Sequence, residues 1–157
     1  MRFPYRRFRE TSDPPGAPAR VKPSIPARVI GLSSAACLFG LLDTGSELTL
    51  LDKSFIDVLD VHIRPGDYDE CYGASGKRFD VCYGVVDVEL ANPRRTTVYR
   101  WSARVGFMQR PHGGGAIFGY EGFLEYFLVS FHGPKQHITL SPRKDFPPPC
   151  MPGDRVS

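Results

Sequence analysis

The chain has 157 residues and a mass of 17.5 kDa, which is the size of one domain with short flanking segments. With 16 glycines, 15 prolines, 41% hydrophobic and 24% charged residues, the composition is that of a globular domain with frequent turns. The chain is too short for the two lobes of a large hydrolase. Its longest apolar run, residues 35–42, is too short to cross a membrane.

The formal net charge of +3 is unevenly distributed. Residues 1–28 carry seven basic and two acidic side chains, a net +5, and the remaining 129 residues carry 13 basic and 15 acidic side chains, a net −2. The globular part therefore has no strong positive field, and no nucleic-acid partner is predicted. Because no apolar stretch follows Met1, no secretory signal is expected and the predicted location is cytoplasmic.

Cysteine and histidine show no metal-binding spacing. There is no C-x-x-C pair and no H-E-x-x-H helix motif, so neither a metal nor another cofactor is predicted. In a reducing compartment the four cysteines are expected to be free thiols. They are Cys37, Cys71, Cys82 and Cys150.

Proline marks both ends of the chain. Residues 1–24 contain five prolines and are predicted to be extended and poorly ordered on their own. Residues 142–157 contain another five and are predicted to form a tail. The folded domain is therefore expected to span residues 25–141.

Segments of β character dominate the first part of this domain. Strands are predicted over residues 25–32, 35–42 and 47–51. Residues 53–59 are either a helical turn or another short strand. Residues 68–84 are predicted to form a hairpin that turns at residues 74–77, where Gly76 supplies the positive φ of a tight turn.

The second part continues in the same way. Further strands are predicted over residues 85–90, 97–105 and 116–118, and a short amphipathic helix over residues 120–127. Residues 128–131 and 137–140 are predicted to form a last hairpin. The predicted fold is all-β, a small closed barrel-like domain with one short C-terminal helix.

One motif indicates chemistry. Asp43, Thr44, Gly45 and Ser46 directly follow the apolar pair Leu41 and Leu42. A carboxylate at the end of a buried strand is costly unless it is hydrogen-bonded or functional. The neighbouring hydroxyl and the unobstructed glycine N–H can supply such hydrogen bonds. The motif therefore predicts either a catalytic aspartate or an Asx-type turn in which Asp43 bonds to its own backbone.

This motif resembles the active-site loop of aspartic proteases. Two more segments support the resemblance: Ile117, Phe118 and Gly119 precede the predicted C-terminal helix, and a glycine-bearing hairpin tip lies at residues 72–78. The order and spacing are similar to those of the single-lobe, retroviral-type proteases (retropepsins) over about residues 24–141. The serine after the glycine resembles the pepsin lobes or a bacterial relative, and a prokaryotic origin is expected.

The resemblance implies a homodimeric aspartic endopeptidase that cuts an extended polypeptide. Asp43 from each copy would activate the water, Thr44 would hydrogen-bond across the twofold axis and the Gly45 N–H would contact the carboxylate. Ser46 is expected to donate to the outer carboxylate oxygen, favouring its charged form and an acidic activity optimum. The predicted flap is Tyr72, Gly73, Ala74, Ser75 and Gly76, and the predicted subsite residues are Leu41, Ile117, Phe118 and Gly119.

The sequence departs from the family at one expected ion pair. Glu47 occupies the acidic position four residues after Asp43, but Tyr120 replaces the arginine that usually follows the late glycine. Arg28 or Arg104 is the predicted substitute.

Three alternatives stay open. The first is that the chain is a non-catalytic module of the same fold that binds protein segments. The second concerns the basic arm, which is a solvated tail, a docking segment or a self-cleaved pro-segment. The third concerns Cys71 and Cys82, which face each other only if the hairpin turns about Gly76 and Lys77, and otherwise are packed thiols.

Overall fold

The computed structural model describes residues 1–9, 14–73, 75–109 and 115–149. Its first elements are the strands β1 (Arg2–Pro4), β2 (Arg6–Phe8), β3 (Arg20–Lys22), β4 (Ser24–Ile30), β5 (Ala35–Leu42) and β6 (Leu50–Asp52), followed by the helix α1 (Phe55–Leu59). The strands β7 (Tyr68–Tyr72), β8 (Arg78–Ala91), β9 (Val98–Met108) and β10 (Ala116–Phe118) come next. A 3-10 helix (Leu124–Tyr126) then leads into β11 (Phe127–His132) and β12 (His137–Pro142).

Six of these strands close into a ring. Their order is β4, β5, β10, β6, β9 and β8, and pairing of β4 with β8 closes the circle. The longest pair, β8 with β9, aligns Val81 with Met108 at one end and Ala91 with Val98 at the other. Among the described residues, strand β7 pairs only with β8 and forms the outer arm of a hairpin. The prediction of an all-β closed barrel is confirmed.

Alternation along the strands explains why they close around one core. In β4, Ile25, Ala27 and Val29 are buried while the residues between them are exposed. Each aliphatic side chain that leaves water in this way stabilises the fold by about 1.5–3 kcal/mol. The same inward set includes Val86, Val88 and Leu90 of β8, Ala103, Val105 and Phe107 of β9, and Phe118 of β10.

Charged side chains cross the seam where the barrel closes. Arg28 of β4 lies opposite Glu89 of β8, and the guanidinium donates to the carboxylate at 2.9 Å. On β9, Arg100 donates to Asp87 at 2.7 Å, and Ser102 donates to the other oxygen of the same carboxylate. Burial acts to raise the pKa of Asp87, but these two hydrogen bonds outweigh it and hold the pKa below its usual value.

The N-terminal segment, which is predicted to be extended and poorly ordered on its own, is paired and packed in the structure. It is extended, but β1 pairs with β12, and the side chain of Phe3 is only 2% exposed within the main core. The N-terminal ammonium donates to the Leu140 carbonyl at 2.6 Å. Strands β2 and β3 form a hairpin, and Arg6 stacks on the ring of Phe39. Residues 1–9 gain both backbone pairing and apolar burial, and they therefore belong to the folded unit.

The C-terminal segment also extends the packed structure beyond the predicted limit at residue 141. Phe146 lies in a cluster of aromatic rings, with centroids 5.5 Å from Trp101 and 5.4 Å from Phe127. Tyr99 and Tyr126 complete the contacts of its ring. The predicted tail therefore contributes to the core as far as Phe146, while residues 150–157 lie outside the described residues.

The helices are shorter than the sequence predicts. The open alternative for residues 53–59 is resolved as α1, which ends where Asp60 takes a left-handed φ of 55°. The predicted C-terminal helix is only the 3-10 turn at Leu124–Tyr126, because Gly122 has a φ of +87° that interrupts a helix. None of the helices within the described ranges is long and apolar enough to span a membrane.

Replacing Phe146 with alanine is expected to lower the free energy of unfolding by about 2–3 kcal/mol, since it empties one position of the aromatic cluster. Urea unfolding followed by Trp101 fluorescence measures the loss. The neighbouring exposed Pro148→Ala variant is the control and should unfold within about 0.5 kcal/mol of wild type. Equal stability of the Phe146 variant and wild type would show that the ring does not anchor the segment.

Replacing Ser102 with alanine is expected to raise the pKa of Asp87 towards its ordinary value. A carboxyl with a depressed folded pKa stabilises the fold above its unfolded pKa, and this contribution is lost as pH falls through the folded pKa. The loss of unfolding free energy between pH 7 and pH 3 should therefore be smaller in the variant than in wild type. The two losses should differ by about 0.5–1.5 kcal/mol. Ser33→Ala, at an exposed turn, should leave the difference unchanged.

Candidate functional site

Asp43 is the first residue after β5, at the place where β5 and β10 run parallel. Ile117 and Phe118 of β10 pair with Leu41 and Leu42, and β10 also pairs with β6 on its other side. The half-buried Asp43 thus stands where the chain leaves the barrel. Its carboxylate oxygen Oδ1 accepts the Gly45 N–H at 2.9 Å, which matches both the support role predicted for Gly45 and the Asx-turn alternative.

Backbone hydrogen bonds fix the loop that begins at Asp43. The Asp43 N–H donates to the Phe118 carbonyl at 3.2 Å, and the Tyr120 N–H donates to the Ser46 carbonyl at 2.9 Å. The Glu121 N–H donates to the Glu47 carbonyl at 2.8 Å. The predicted late-glycine segment is therefore in direct contact with the aspartate loop, although 76 residues separate Gly119 from Asp43.

Gly119 allows this close approach. A Cβ on Gly119 would collide with the carbonyl of Leu48, and also lie 2.7 Å from the Ser46 carbonyl oxygen. A Cβ on Gly40, in β5, would collide with the ring of Phe118. Glycine is therefore required at both positions for steric reasons and not for its φ. A side chain at Gly119 would separate the loop from the segment after β10, and a side chain at Gly40 would separate β5 from β10.

Ser46 does not make the contact predicted for it. Its hydroxyl donates to the Leu48 carbonyl at 2.8 Å and therefore cannot donate at the same time to the Asp43 carboxylate. In this structure it stabilises the turn of the loop. The contribution to an acidic activity optimum that was expected from Ser46 loses its basis, because it required a hydroxyl bonded to the carboxylate. Thr44 is exposed at the tip of the loop.

The predicted substitutes for the family's ion pair have other partners. Arg28 pairs with Glu89 on the barrel seam. Arg104 lies 3.8 Å from the carboxylate of Glu121, and its guanidinium stacks 3.8 Å from the centre of the Tyr83 ring. Neither arginine contacts Glu47, so the prediction of a replacement ion pair was wrong. Arg104 instead joins the segment after Gly119 to β8.

The predicted hairpin is present, and its tip is exposed. The Gly73 N–H donates to the Lys77 carbonyl at 2.9 Å, and Gly76 has the predicted positive φ, at +72°. Tyr72 is 70% exposed, Gly73 is half-buried, and Ser75 and Gly76 are exposed. Ala74, also predicted to lie in the flap, is outside the described residues.

The register of the hairpin separates two of the cysteines. Cys71 lies opposite Phe79, and Cys82 lies opposite Tyr68, so the two thiols are not cross-strand partners. Both are free thiols, and burial raises the pKa of Cys82. The pKa of Tyr83 is also raised, first by burial and then by its contact with Cys71. Tyr83 therefore stays a neutral phenol that links β8 to β7.

A second hydrophobic cluster joins the base of the hairpin to the aspartate loop, and most of it was not predicted from the sequence. Its buried members are Leu50, Val81 and Tyr83. The half-buried residues packed against them come from the loop region, the hairpin and β9, namely Leu48, Ile117, Cys71, Phe79 and Met108. Alternation within β8 was the available signal, but it does not show which face of a closed barrel is next to the loop.

The predicted subsite residues fall into two groups. Leu41 and Ile117 are half-buried next to Asp43, which is compatible with contact to a ligand. Phe118 has no exposed surface and stacks on Phe123 with a centroid distance of 4.1 Å. Gly119 is buried under the Leu48 carbonyl. Phe118 and Gly119 are therefore core and packing residues, and their prediction as subsite residues was wrong.

One cavity bounded by described residues does not coincide with the aspartate loop. It has a volume of about 500 Å³ and is lined by residues of the 30–32 turn, the 62–67 loop, β8 and β9, including Arg64, Tyr83 and Arg104. Asp43 does not line it. In the described ranges, no three His, Cys, Asp or Glu side chains are grouped as metal ligands would be.

Comparison with known proteins gives a distant structural likeness. No family model and no curated protein matches the chain. A solved structure of EIAV protease complexed with the inhibitor HBY-793 aligns with 62% of this chain and 81% of its own, with a TM-score of 0.41 and 19% sequence identity. At that level of similarity nothing about the site is inferred from it.

Replacing Gly119 with alanine is expected to push the aspartate loop away from β10 and to lower the free energy of unfolding by about 3 kcal/mol. Chemical denaturation measures the loss. Gly133→Ala is the matched control, because a Cβ there meets no atom within 4 Å, and it should stay within about 0.5 kcal/mol of wild type. Equal stability of the two variants would show that Gly119 does not lie in close contact with the Leu48 carbonyl.

Proposed function

We propose that the protein is an aspartic endopeptidase of the retropepsin type, in which Asp43 carboxylates from two copies of the chain form one site. The observation that carries this proposal is the fixed aspartate loop. Asp43 follows β5 where that strand runs parallel to β10, Gly45 donates to its carboxylate, and the segment after Phe118 is hydrogen-bonded to the loop. A surface Asx turn alone does not require these long-range contacts.

The proposed reaction needs two carboxylates. One takes a proton from water while the other donates a proton to the carbonyl oxygen of the scissile peptide bond. Two carboxyl groups about 3 Å apart cannot both be ionised, so they share one proton and titrate as a pair. One chain supplies a single D-T-G sequence. A twofold axis beside Asp43 would therefore complete the site.

The hairpin of β7 and β8 supports an extended peptide as the proposed substrate. Its tip is exposed, and its base is joined to the aspartate loop by the second hydrophobic cluster. A polypeptide bound in extended form between the hairpin and the loop could pair with strand backbone while its side chains contact apolar surface. Leu41, Ile117 and Leu48 are the proposed apolar contacts. Exposed Thr44 is free of the barrel and is proposed to bond across the twofold axis.

A second candidate is a module that binds a peptide without cutting it. The single D-T-G sequence of the chain favours this candidate if no second copy completes the site. In that case the chain would act as a monomer, with half of the acid–base pair.

Digestion of a peptide library by the full chain separates the two candidates. Wild type is expected to cut peptide bonds at acidic pH, and Asp43→Asn is expected to lose at least about 1,000-fold in rate, because the site loses an acid–base partner. Asp57→Asn, an exposed change on α1, is the matched control and should keep full activity. Mass spectrometry of the products gives the cleaved bonds.

Mixing the two forms tests whether the site is shared. Excess Asp43→Asn chain should reduce the activity of each wild-type chain towards zero, since mixed dimers hold only one functional carboxylate. Activity that is unaffected by the variant, in a sample where subunits exchange, would contradict a shared site. Binding of peptides without cleavage by wild type would favour the binding module.

A further inference from the structure

We propose that the hairpin of β2 and β3 binds an acidic segment of the polypeptide that reaches Asp43. This hairpin is called the basic ribbon and comprises residues 6–9 and 20–22. The role of that polypeptide as a substrate rests on the proposed function, whereas the binding surface itself does not. Residues 6–22 carry five basic and two acidic side chains, while residues 29–157 have a net charge of −2. The excess of positive charge therefore lies on one small element of the fold.

The register of the ribbon brings basic side chains of both strands together. Arg6 lies opposite Lys22, and Phe8 lies opposite Arg20, so these four side chains share one face. Like charges that lie opposite each other across two strands repel, and a bound carboxylate reduces that repulsion. The ribbon contains no Asp or Glu of its own, and its exposed arginines are Arg6, Arg7, Arg9 and Arg20.

The ribbon leaves the barrel beside the aspartate loop. The carbonyl of Pro23, the residue directly after β3, accepts the N–H of Leu42 at 2.9 Å. Ser24, the first residue of β4, lies opposite Leu41. Since Leu42 directly precedes Asp43, the end of the ribbon is fixed next to the first residue of the candidate site.

One face of β5 leads from Asp43 to the ribbon. Phe39 is exposed and Leu41 is half-buried, while the residues on either side of Phe39 and Leu41 in β5 are buried. The guanidinium of Arg6 stacks 3.8 Å from the centre of the Phe39 ring. At about 3.3 Å per residue, Phe39 lies about 13 Å along the strand from Asp43. An extended polypeptide at Asp43 would therefore meet Arg6 about four residues further along.

The aromatic rings of the ribbon favour a polypeptide over a nucleic acid. Proteins that bind single-stranded nucleic acids stack the bases on open ring faces. Here Arg6 covers a face of Phe39, and the Lys22 ammonium lies 4.1 Å from the centre of the Phe8 ring. These contacts instead hold two cations in place, which lowers the entropy that each loses when it binds a carboxylate.

The ribbon also offers little apolar surface for insertion into a membrane. Of its two large apolar side chains, Val21 is 36% exposed and Phe8 is half-buried. Stable binding to a lipid surface generally needs apolar burial in addition to charge. Because guanidinium groups recognise carboxylates through paired hydrogen bonds, a Glu-rich or Asp-rich polypeptide is the partner that the ribbon fits best.

Fluorescence anisotropy of a labelled peptide of six Glu-Ser repeats measures binding to the full chain at about 150 mM salt. The triple variant Arg6→Gln, Arg7→Gln, Arg9→Gln should raise the Kd at least about 10-fold, because it removes three cations from the surface. The matched control, Arg64→Gln, Arg94→Gln, Arg95→Gln, removes three exposed arginines elsewhere and should stay within about threefold of wild type. Circular dichroism checks that each variant is folded.

Three outcomes of this assay would overturn the proposal. The first is the absence of saturable binding of the Glu-Ser peptide by wild type. The second is an equal loss of binding in the two triple variants, which would show that net charge and not the ribbon attracts the peptide. The third is tighter binding of an oligothymidylate of equal charge, or of phosphatidylserine vesicles, which would assign the surface to a different partner.

A second experiment connects the ribbon to the candidate site. A Glu-Ser extension is added about four residues beyond the cleaved bond of a peptide that wild type cuts, at either end in turn. At one end it should lower KM at least about fivefold with kcat unchanged, and the ribbon variant should lose this gain. A Gln-Ser extension is the control and should have no effect.

The two experiments distinguish failure of the ribbon from failure of the proposed activity. Asp43→Asn should bind the Glu-Ser peptide as tightly as wild type does. A wild type that binds this peptide and cuts no peptide would contradict the endopeptidase and leave the ribbon as a binding surface. A wild type that cuts peptides equally well with and without the Glu-Ser extension would overturn the connection between the ribbon and Asp43, and leave the endopeptidase in place.

Discussion

The contact between the aspartate loop and the segment after β10 is the constraint on which the site depends. Backbone groups make nearly all of it, and the absence of a side chain at Gly119 permits it. Because Phe118 is part of the barrel core, the loop is fixed to the most buried region of the molecule. Backbone hydrogen bonds therefore give Asp43 a defined position, with no charged side chain of the described ranges bonded to it.

The fold was accessible from the sequence where its signals are local. Apolar runs and alternation predicted β5 and β10 at their observed limits, and Gly76 predicted the turn of the β7–β8 hairpin. Strand β1 was missed because three residues carry no periodicity, and its stability comes from Phe3 in a distant core. Phe146 was missed for the same reason, since an aromatic residue in a proline-rich segment does not indicate its tertiary partners.

The arrangement of the chain around Asp43 was predicted in outline, and the structure corrects its details. The D-T-G sequence and the late glycine segment were recognised as parts of one region, and the structure brings them together through Phe118 and Asp43. The direction in which a single side chain points was not accessible. Alternation makes Phe118 a core residue and Ile117 its outward neighbour, and the Ser46 hydroxyl bonds to a backbone carbonyl instead of the carboxylate that it was expected to reach. Packing with distant parts of the chain determines the direction of each of these side chains, and a short sequence motif does not contain that information.

A crystal structure of the full chain at acidic pH, with an uncleavable peptide analogue, measures the proposed shared site directly. We expect two copies around a twofold axis, with one Asp43 carboxylate oxygen from each within hydrogen-bond distance of the other. A dimer that keeps the two Asp43 side chains far apart, or a single copy with Asp43 facing solvent beside the bound peptide, would contradict a site made from two chains.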